Sequence, residues 1–208
     1  MPVTSEETRS WKWYGTGILW AVVLASCLAI GGWAAHLRHE PVHHFGVVVD
    51  GVLYRSAQPD PRQWQQLHHR YGIRTVINLR DPETDEAWAL FEKKFCAENG
   101  IRLVNLPVGP DRLTAEELRT VVETVSDPAS QPVLVHCELG KSRTGVVIAA
   151  YRIVAQGWSD EAAIAESQRY KEIMNPGYAA YLKELAAGRP WRPATAPSQP
   201  AGEPTSYR

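Results

Sequence analysis

Hydrophobic and polar positions fall into three regimes along the chain. Residues 15–35 carry no charge, and only Thr16 and Ser26 among them are polar. A helix of that length spans roughly 30 Å, the thickness of a bilayer's hydrocarbon core. Trp11, Trp13, Tyr14 and Trp33 flank it, and such amphipathic rings favour the headgroup level. The pattern predicts a transmembrane helix over residues 15–35 behind an N-terminal tail of residues 1–14. Arg9 and Lys12 before the span outweigh Arg38 after it, which weakly favours a single-pass protein with its N-terminus inside and its main domain outside. The run Leu24-Ala25-Ser26-Cys27 offers a second attachment, with Cys27 as lipid acceptor, although the sequence stays apolar beyond it. Either way the membrane is an expected partner. Residues 36–45 read as a linker. His36, His39, His43 and His44 within it have Glu40 among them but no Cys, and the stretch reads as a solvated tether rather than a metal site. Residues 188–208 are rich in Pro, Ser, Thr and Gly without apolar period, and are expected to be a disordered tail.

Between these ends, residues 46–187 alternate between two rhythms. Val47-Val48-Val49 and Val52-Leu53-Tyr54 around Asp50-Gly51 predict a hairpin. Short apolar or β-branched runs at Arg74–Leu79, Ile101–Leu106 and Pro132–Val135 predict strands, the last apolar throughout, as in a buried parallel sheet. Helices are predicted at Pro61–Tyr71, with Pro in the first turn, and at Asp85–Asn99, closed by Gly100. A further helix follows Thr114, which forms a capping-box pair with Glu117. The last three are expected at Thr144–Gln156, Asp160–Met174 and Tyr178–Ala187. Strands alternating with helices imply an α/β fold, a mostly parallel central sheet flanked by helices.

Composition narrows the function. Lys and Arg number 22 against 23 Asp and Glu, for a net charge of −1, and a nucleic-acid partner is not expected without a basic excess. A hydrophobic fraction of 44% excludes a wholly disordered chain. Three cysteines do not make a disulfide framework. Cys96, on a predicted helix face, reads as a small core residue.

The chemistry concentrates in His136-Cys137-Glu138-Leu139-Gly140-Lys141-Ser142-Arg143-Thr144-Gly145, which follows an apolar strand and opens a helix. A loop so placed turns successive N–H groups into one concavity beside the positive end of a helix dipole, an anion cradle. Gly140-Lys141-Ser142 matches the end of a nucleotide-binding P-loop, but Val135 stands where that loop needs its first glycine. A cysteine phosphatase fits better. A thiol at the head of an N–H-lined loop reacts as thiolate and can attack phosphorus at Cys137. Arg143, six positions on, offers a planar fork for two phosphoryl oxygens. The loop Glu138, Leu139, Gly140, Lys141, Ser142 and Arg143 is the predicted phosphate-binding segment. Gly140 permits its tight turn, Thr144 can donate to the thiolate, and His136 orders the loop. No metal or cofactor is required. The leaving oxygen needs an acid from another loop at the same sheet edge. Asp111, after the strand Ile101–Leu106, is the favoured candidate, and Asp81, after Arg74–Leu79, is the alternative. Either could instead serve as a turn residue.

This loop resembles the signature of the cysteine-dependent protein tyrosine and dual-specificity phosphatases, His-Cys-x-x-Gly-x-x-Arg-Thr-Gly. Gly51–Pro59, Gly72–Arg80 and Gly140-Lys141-x-Arg143-Thr144-Gly145 resemble the plant-and-fungal atypical dual-specificity subgroup and its bacterial relatives. The resemblance implies the cysteine-phosphatase fold, a nucleophile at Cys137, a phosphate clamp at Arg143 and a phosphocysteine intermediate. The segment around Asp111 departs from the subgroup in length and composition. A membrane-anchored phosphatase acting on phosphoproteins, phosphotyrosine first, is the expected function. Some relatives with a Lys in the loop act on inositol pyrophosphates or phosphoinositides, so Lys141 keeps an inositol phosphate substrate open. A non-catalytic phospho-binding module is the alternative of another class.

Overall fold

A computed structural model describes residues 18–32, 42–81, 86–109, 111–170 and 175–188. The chain divides into two units, Met1–Pro41 and Val42–Arg208.

In the first unit residues 18–32 form helix α1, with its side chains exposed throughout. Among the described residues no helix is long and apolar enough to cross a membrane. This overturns the single-pass membrane placement and, with it, the inferred orientation. The ends of the expected span, residues 15–17 and 33–35, lie outside the described residues, as do the tail beyond Gly188 and both His36 and His39. Cys27 is an exposed free thiol in α1.

The second unit runs β1 (Gly46–Val49), β2 (Leu53–Ser56), α2 (Pro61–Tyr71), β3 (Thr75–Asn78), α3 (Ala87–Glu98), β4 (Arg102–Asn105), α4 (Ala115–Ser126), β5 (Val133–His136), α5 (Ser142–Gln156), α6 (Asp160–Gln168) and α7 (Pro176–Gly188). The five strands form one sheet in the order β1-β2-β5-β3-β4. The edge strand β1 is antiparallel to β2, and the other pairings are parallel. The expected α/β architecture is therefore present, with β5 at its centre. Period-2 alternation sorts the strand side chains between two cores. Leu53, Ile77, Val133 and Val135 face the layer of α4, α5 and α7. Tyr54, Val76 and Leu134 face the layer of α2 and α3.

Local chemistry fixes most boundaries. Asp60 caps α2 in a reciprocal box with Gln63, and Gly72 closes it in the left-handed conformation. Thr114 and Glu117 form the expected box at α4. Several boundaries differ from expectation, three of them instructively. Helix α5 starts at Ser142, before Thr144, so Arg143 belongs to its first turn. Helix α6 stops at Gln168, where Arg169 and Tyr170 donate to carbonyls three residues back and tighten the chain out of the α-helix. Helix α7 starts at Pro176, because the Asn175 side chain accepts the Gly177 N–H and proline suits a first turn. Val42 to Phe45, read as linker, join the fold: Val42 is buried, and the Ala57 N–H donates to the His43 carbonyl at 2.8 Å.

Candidate active site

Strand alternation decides what the end of β5 presents. His136 shares the phase of Leu134 and points toward α2 and α3. Cys137, one residue on, shares the phase of Val133 and Val135 and is buried with α5-side residues. The loop from Cys137 to Lys141 then leads into α5, whose first N–H groups have no intrahelical acceptor. Cys137 and Arg143 are thus brought to one loop and one helix end, at the C-terminal edge of the parallel strands.

Neighbouring elements hold the loop from outside. Gly140 adopts φ +65°, and a β-carbon there would lie 2.4 Å from the Ala57 backbone nitrogen, so both conformation and contact require glycine. The Gly140 carbonyl accepts from Arg55 Nη2 at 2.7 Å. The Leu139 carbonyl accepts from His44 Nδ1 at 2.7 Å, and the Glu138 carbonyl from the Gln58 N–H at 3.1 Å. With its carbonyls engaged outward, the loop keeps its amide edge for an anion. Arg143 donates from Nη1 to the Leu79 carbonyl at 3.3 Å and places Nη2 3.8 Å from a Glu138 carboxylate oxygen. Lys141 and Ser142 are half-buried, and Leu139 is exposed. Thr144 is buried in the first turn of α5, and its hydroxyl makes no hydrogen bond to the described residues.

Both acid candidates lie at this edge and are exposed. Asp81 follows β3. Asp111 follows β4 and backs onto the start of α7, where a β-carbon on Gly177 would sit 2.8 Å from Asp111 Oδ1. Tyr178 ties that segment down by donating its hydroxyl to the Gly109 carbonyl at 2.6 Å. Burial pushes the Tyr178 hydroxyl up, Arg143 draws it down, and the charges of Cys137 and Asp111 raise it further. Tyr178 therefore feels the thiol, the guanidinium and the favoured acid at once.

Behind the loop, His136 is fully buried with its ring edge-on to Trp64 at 5.6 Å. Its Nε2 lies 3.3 Å from the carboxylate of Glu92, which is only 1% exposed. Gln58 donates to the same carboxylate oxygen at 2.8 Å. Burial pushes the Cys96 thiol up to about 12, with a smaller contribution from Glu92, consistent with an inert core thiol. Among the described residues no three His, Cys, Asp or Glu side chains converge on a possible metal position.

Sequence reasoning missed Arg55, Gln58, Glu92 and Tyr178. Two of them carried a signal. Arg55 is a cation in the phase of Leu53, and Glu92 is four residues from both Trp88 and Cys96 on the inward face of α3. A charge in an apolar phase is either an error of phase or a buried group that requires a partner.

Residues 41–184 match the profile of the tyrosine phosphatase family. The dual specificity protein phosphatase TpbA of Pseudomonas aeruginosa is 37% identical over 119 residues, covering 57% of this chain and 50% of that protein. The inositol diphosphatase SIW14 of Saccharomyces cerevisiae is 30% identical over 135 residues, covering 62% of this chain and 46% of that protein. The chain thus spans about half the length of these two relatives. The core catalytic domain of the PP-IP phosphatase SIW14 in complex with citrate superposes with a TM-score of 0.60 at 29% identity, over 69% of this chain and 86% of that one. The crystal structure of TpbA gives 0.56 at 28% identity, over 72% and 94%.

Proposed function

The chain belongs to the tyrosine phosphatase family, and from that premise we propose that it hydrolyses phosphomonoesters through a phosphocysteine at Cys137. The Cys137 thiolate attacks phosphorus, an S–P bond forms, and the P–O bond to the leaving group breaks. Asp111 gives its proton to the departing oxygen. Arg143 and the amides from Glu138 to Arg143 bear the charge that builds on the phosphoryl oxygens. Water then attacks phosphorus and yields its proton to Asp111. The S–P bond breaks, inorganic phosphate leaves, and the Thr144 hydroxyl donates to the returning thiolate. Asp81 is the alternative acid.

One observation carries this reading: Cys137 and Arg143 share a loop whose carbonyls are engaged by Arg55, His44 and Gln58, leaving its amide edge and the N-terminus of α5 for an anion. Phosphoproteins, phosphotyrosine first, are the favoured substrates. Three arginines at this edge each face a carboxylate, Arg80 with Glu86 at 3.4 Å, Arg112 with Glu184 at 2.9 Å and Arg143 with Glu138 at 3.8 Å. Leu139 adds an exposed apolar side chain to the loop. A densely phosphorylated ligand would need more uncommitted positive charge. The second reading, an inositol phosphate, is supported by Lys141 on the loop and by the likeness to the inositol diphosphatase SIW14.

The test is turnover of a phosphotyrosine peptide, a phosphothreonine peptide and inositol polyphosphates at matched concentration, by the full chain without metal. Activity on the peptides that vanishes in Cys137→Ser is expected. Undiminished turnover by Cys137→Ser overturns the mechanism, and phosphopeptide binding with no turnover assigns a binding module instead.

A further inference from the structure

We propose that Glu92 is a positioning residue for the reaction, fixing the chain on both sides of Cys137. The proposal rests on the reading of the Cys137–Arg143 loop as the reacting site. Helix α3 turns Trp88, Glu92 and Cys96 to one side at intervals of four, and the neighbouring Phe95 is also buried. A carboxylate in that row loses its hydration and persists only if polar groups replace the water. The groups that face it come from separate elements. His136 at the end of β5 puts Nε2 3.3 Å from Glu92 Oε2, and Gln58 from the β2–α2 segment donates Nε2 to the same oxygen at 2.8 Å. Trp64 of α2 packs edge-on against the imidazole. Cys96 on α3 is the other titratable neighbour and stays a neutral thiol. Arg80, beyond β3, stands behind Gln58, donating Nη1 to its Oε1 at 3.3 Å while its guanidinium stacks 3.6 Å from the Trp88 ring.

The consequence follows from connectivity. His136 is covalently joined to Cys137 on its N-terminal side. On the other side, the Gln58 N–H holds the Glu138 carbonyl at 3.1 Å. Gln58 therefore grips Glu92 with its side chain and the loop with its backbone. One buried carboxylate lies within ion-pair distance of the residue before the nucleophile and is hydrogen-bonded, through Gln58, to the segment that holds the residue after it. Arg143 lies on α5 and is anchored separately, to the Leu79 carbonyl. Loss of the Glu92 charge should therefore displace the thiol more than the phosphate clamp. A small misplacement of a reacting atom costs turnover steeply, whereas ground-state binding by Arg143 and the α5 amides persists.

The test uses the full chain and para-nitrophenyl phosphate, with Glu92→Gln, which keeps shape and an acceptor for Gln58 but removes the charge. The expected result is a fall in kcat of about tenfold or more, with KM within about twofold of the parent and a cooperative thermal transition retained. Should Glu92→Gln fail to fold, Gln58→Leu carries the test, since it severs the side-chain link and keeps the backbone N–H. It should lower kcat with the same unchanged KM. Where both fold, the double variant should lose little beyond Glu92→Gln alone, because the two act in one chain of contacts. An unchanged kcat in a folded variant overturns the proposal, as does a loss that merely tracks the unfolded fraction. Cys137→Ser separates the two claims. If it abolishes turnover while Glu92→Gln does not lower it, the positioning role fails and the phosphatase reading stands. If Cys137→Ser turns over normally, the reading itself fails.

Discussion

Replacing Gly140 by Ala tests the loop geometry most directly, because two independent penalties coincide there. The residue sits at φ +65°, a conformation that costs a residue with a β-carbon about 1–2 kcal/mol. The added carbon would also lie 2.4 Å from the Ala57 nitrogen and 2.6 Å from the Ser56 carbonyl carbon. These are backbone atoms where β2 ends, not the tip of a flexible side chain, so the loop must move away. Relieving such an overlap costs about 1–3 kcal/mol, for a combined destabilisation of about 2–5 kcal/mol of the loop conformation. The movement also draws the Gly140 carbonyl from Arg55 Nη2, now at 2.7 Å. At about 1.4 kcal/mol per tenfold, kcat/KM for an aryl phosphate should fall by about 30-fold or more. Gly51→Ala is the control. It has φ +69° but open space around the position, so it should lose about 1–2 kcal/mol in urea denaturation with kcat/KM unchanged. Equal kinetics for Gly140→Ala and the parent would refute the argument that β2 fixes the shape of the loop.

Asp111→Asn should lower kcat by about 10²–10⁴ and remove one limb of its pH profile, while Asp81→Asn leaves both nearly intact; the reverse outcome transfers the acid role to Asp81. Tyr178→Phe, which frees the Gly109 carbonyl, should lower kcat by a few fold by loosening the Asp111 segment, and unchanged steady-state kinetics would count against that linkage. Iodoacetamide at neutral pH should label Cys137 and spare native Cys96, as read by peptide mass. Because burial pushes the Cys96 thiol from 9.0 to about 12, its neutral form favours the fold below about pH 9, and that contribution declines between about pH 9 and 12. Arg152→Met should cost about 3 kcal/mol in denaturant unfolding. Arg152 is buried, pairs with Glu166 at 2.6 Å and donates to the Val48 carbonyl at 2.9 Å.

The parts of the fold and site that were legible in the sequence are those whose physics is local. Asp60 and Thr114 announce helix starts because a cap binds amides two or three residues ahead. The segment from His136 to Thr144 is readable because thiol, turn glycine and guanidinium are contiguous and sit where a strand becomes a helix. Its inward grip is not local. Arg55 meets Gly140 across 85 positions, and Gln58 meets Glu92 across 34. Those meetings depend on β2 pairing beside β5, an order that no short window encodes. The membrane span failed for a related reason. An uncharged stretch measures composition, whereas among the described residues no helix is long and apolar enough to cross a membrane.

What could have been read is the phase of the exceptions. Arg55 shares the side of β2 with Leu53, and Glu92 shares the inward side of α3 with Cys96. On a solvated face such charges would mean nothing. On a buried face each must be answered by another polar group, because a solitary buried charge is too costly to keep. Arg55 is answered by the Gly140 carbonyl, and Glu92 by Gln58 and His136. All three answers lie on the loop, one residue before it, or at the segment that holds it. In this fold the charged residues that break the apolar rhythm of β2 and α3 therefore point back to the loop from Cys137 to Lys141, and Glu92→Gln is the substitution that turns this regularity into a measurement.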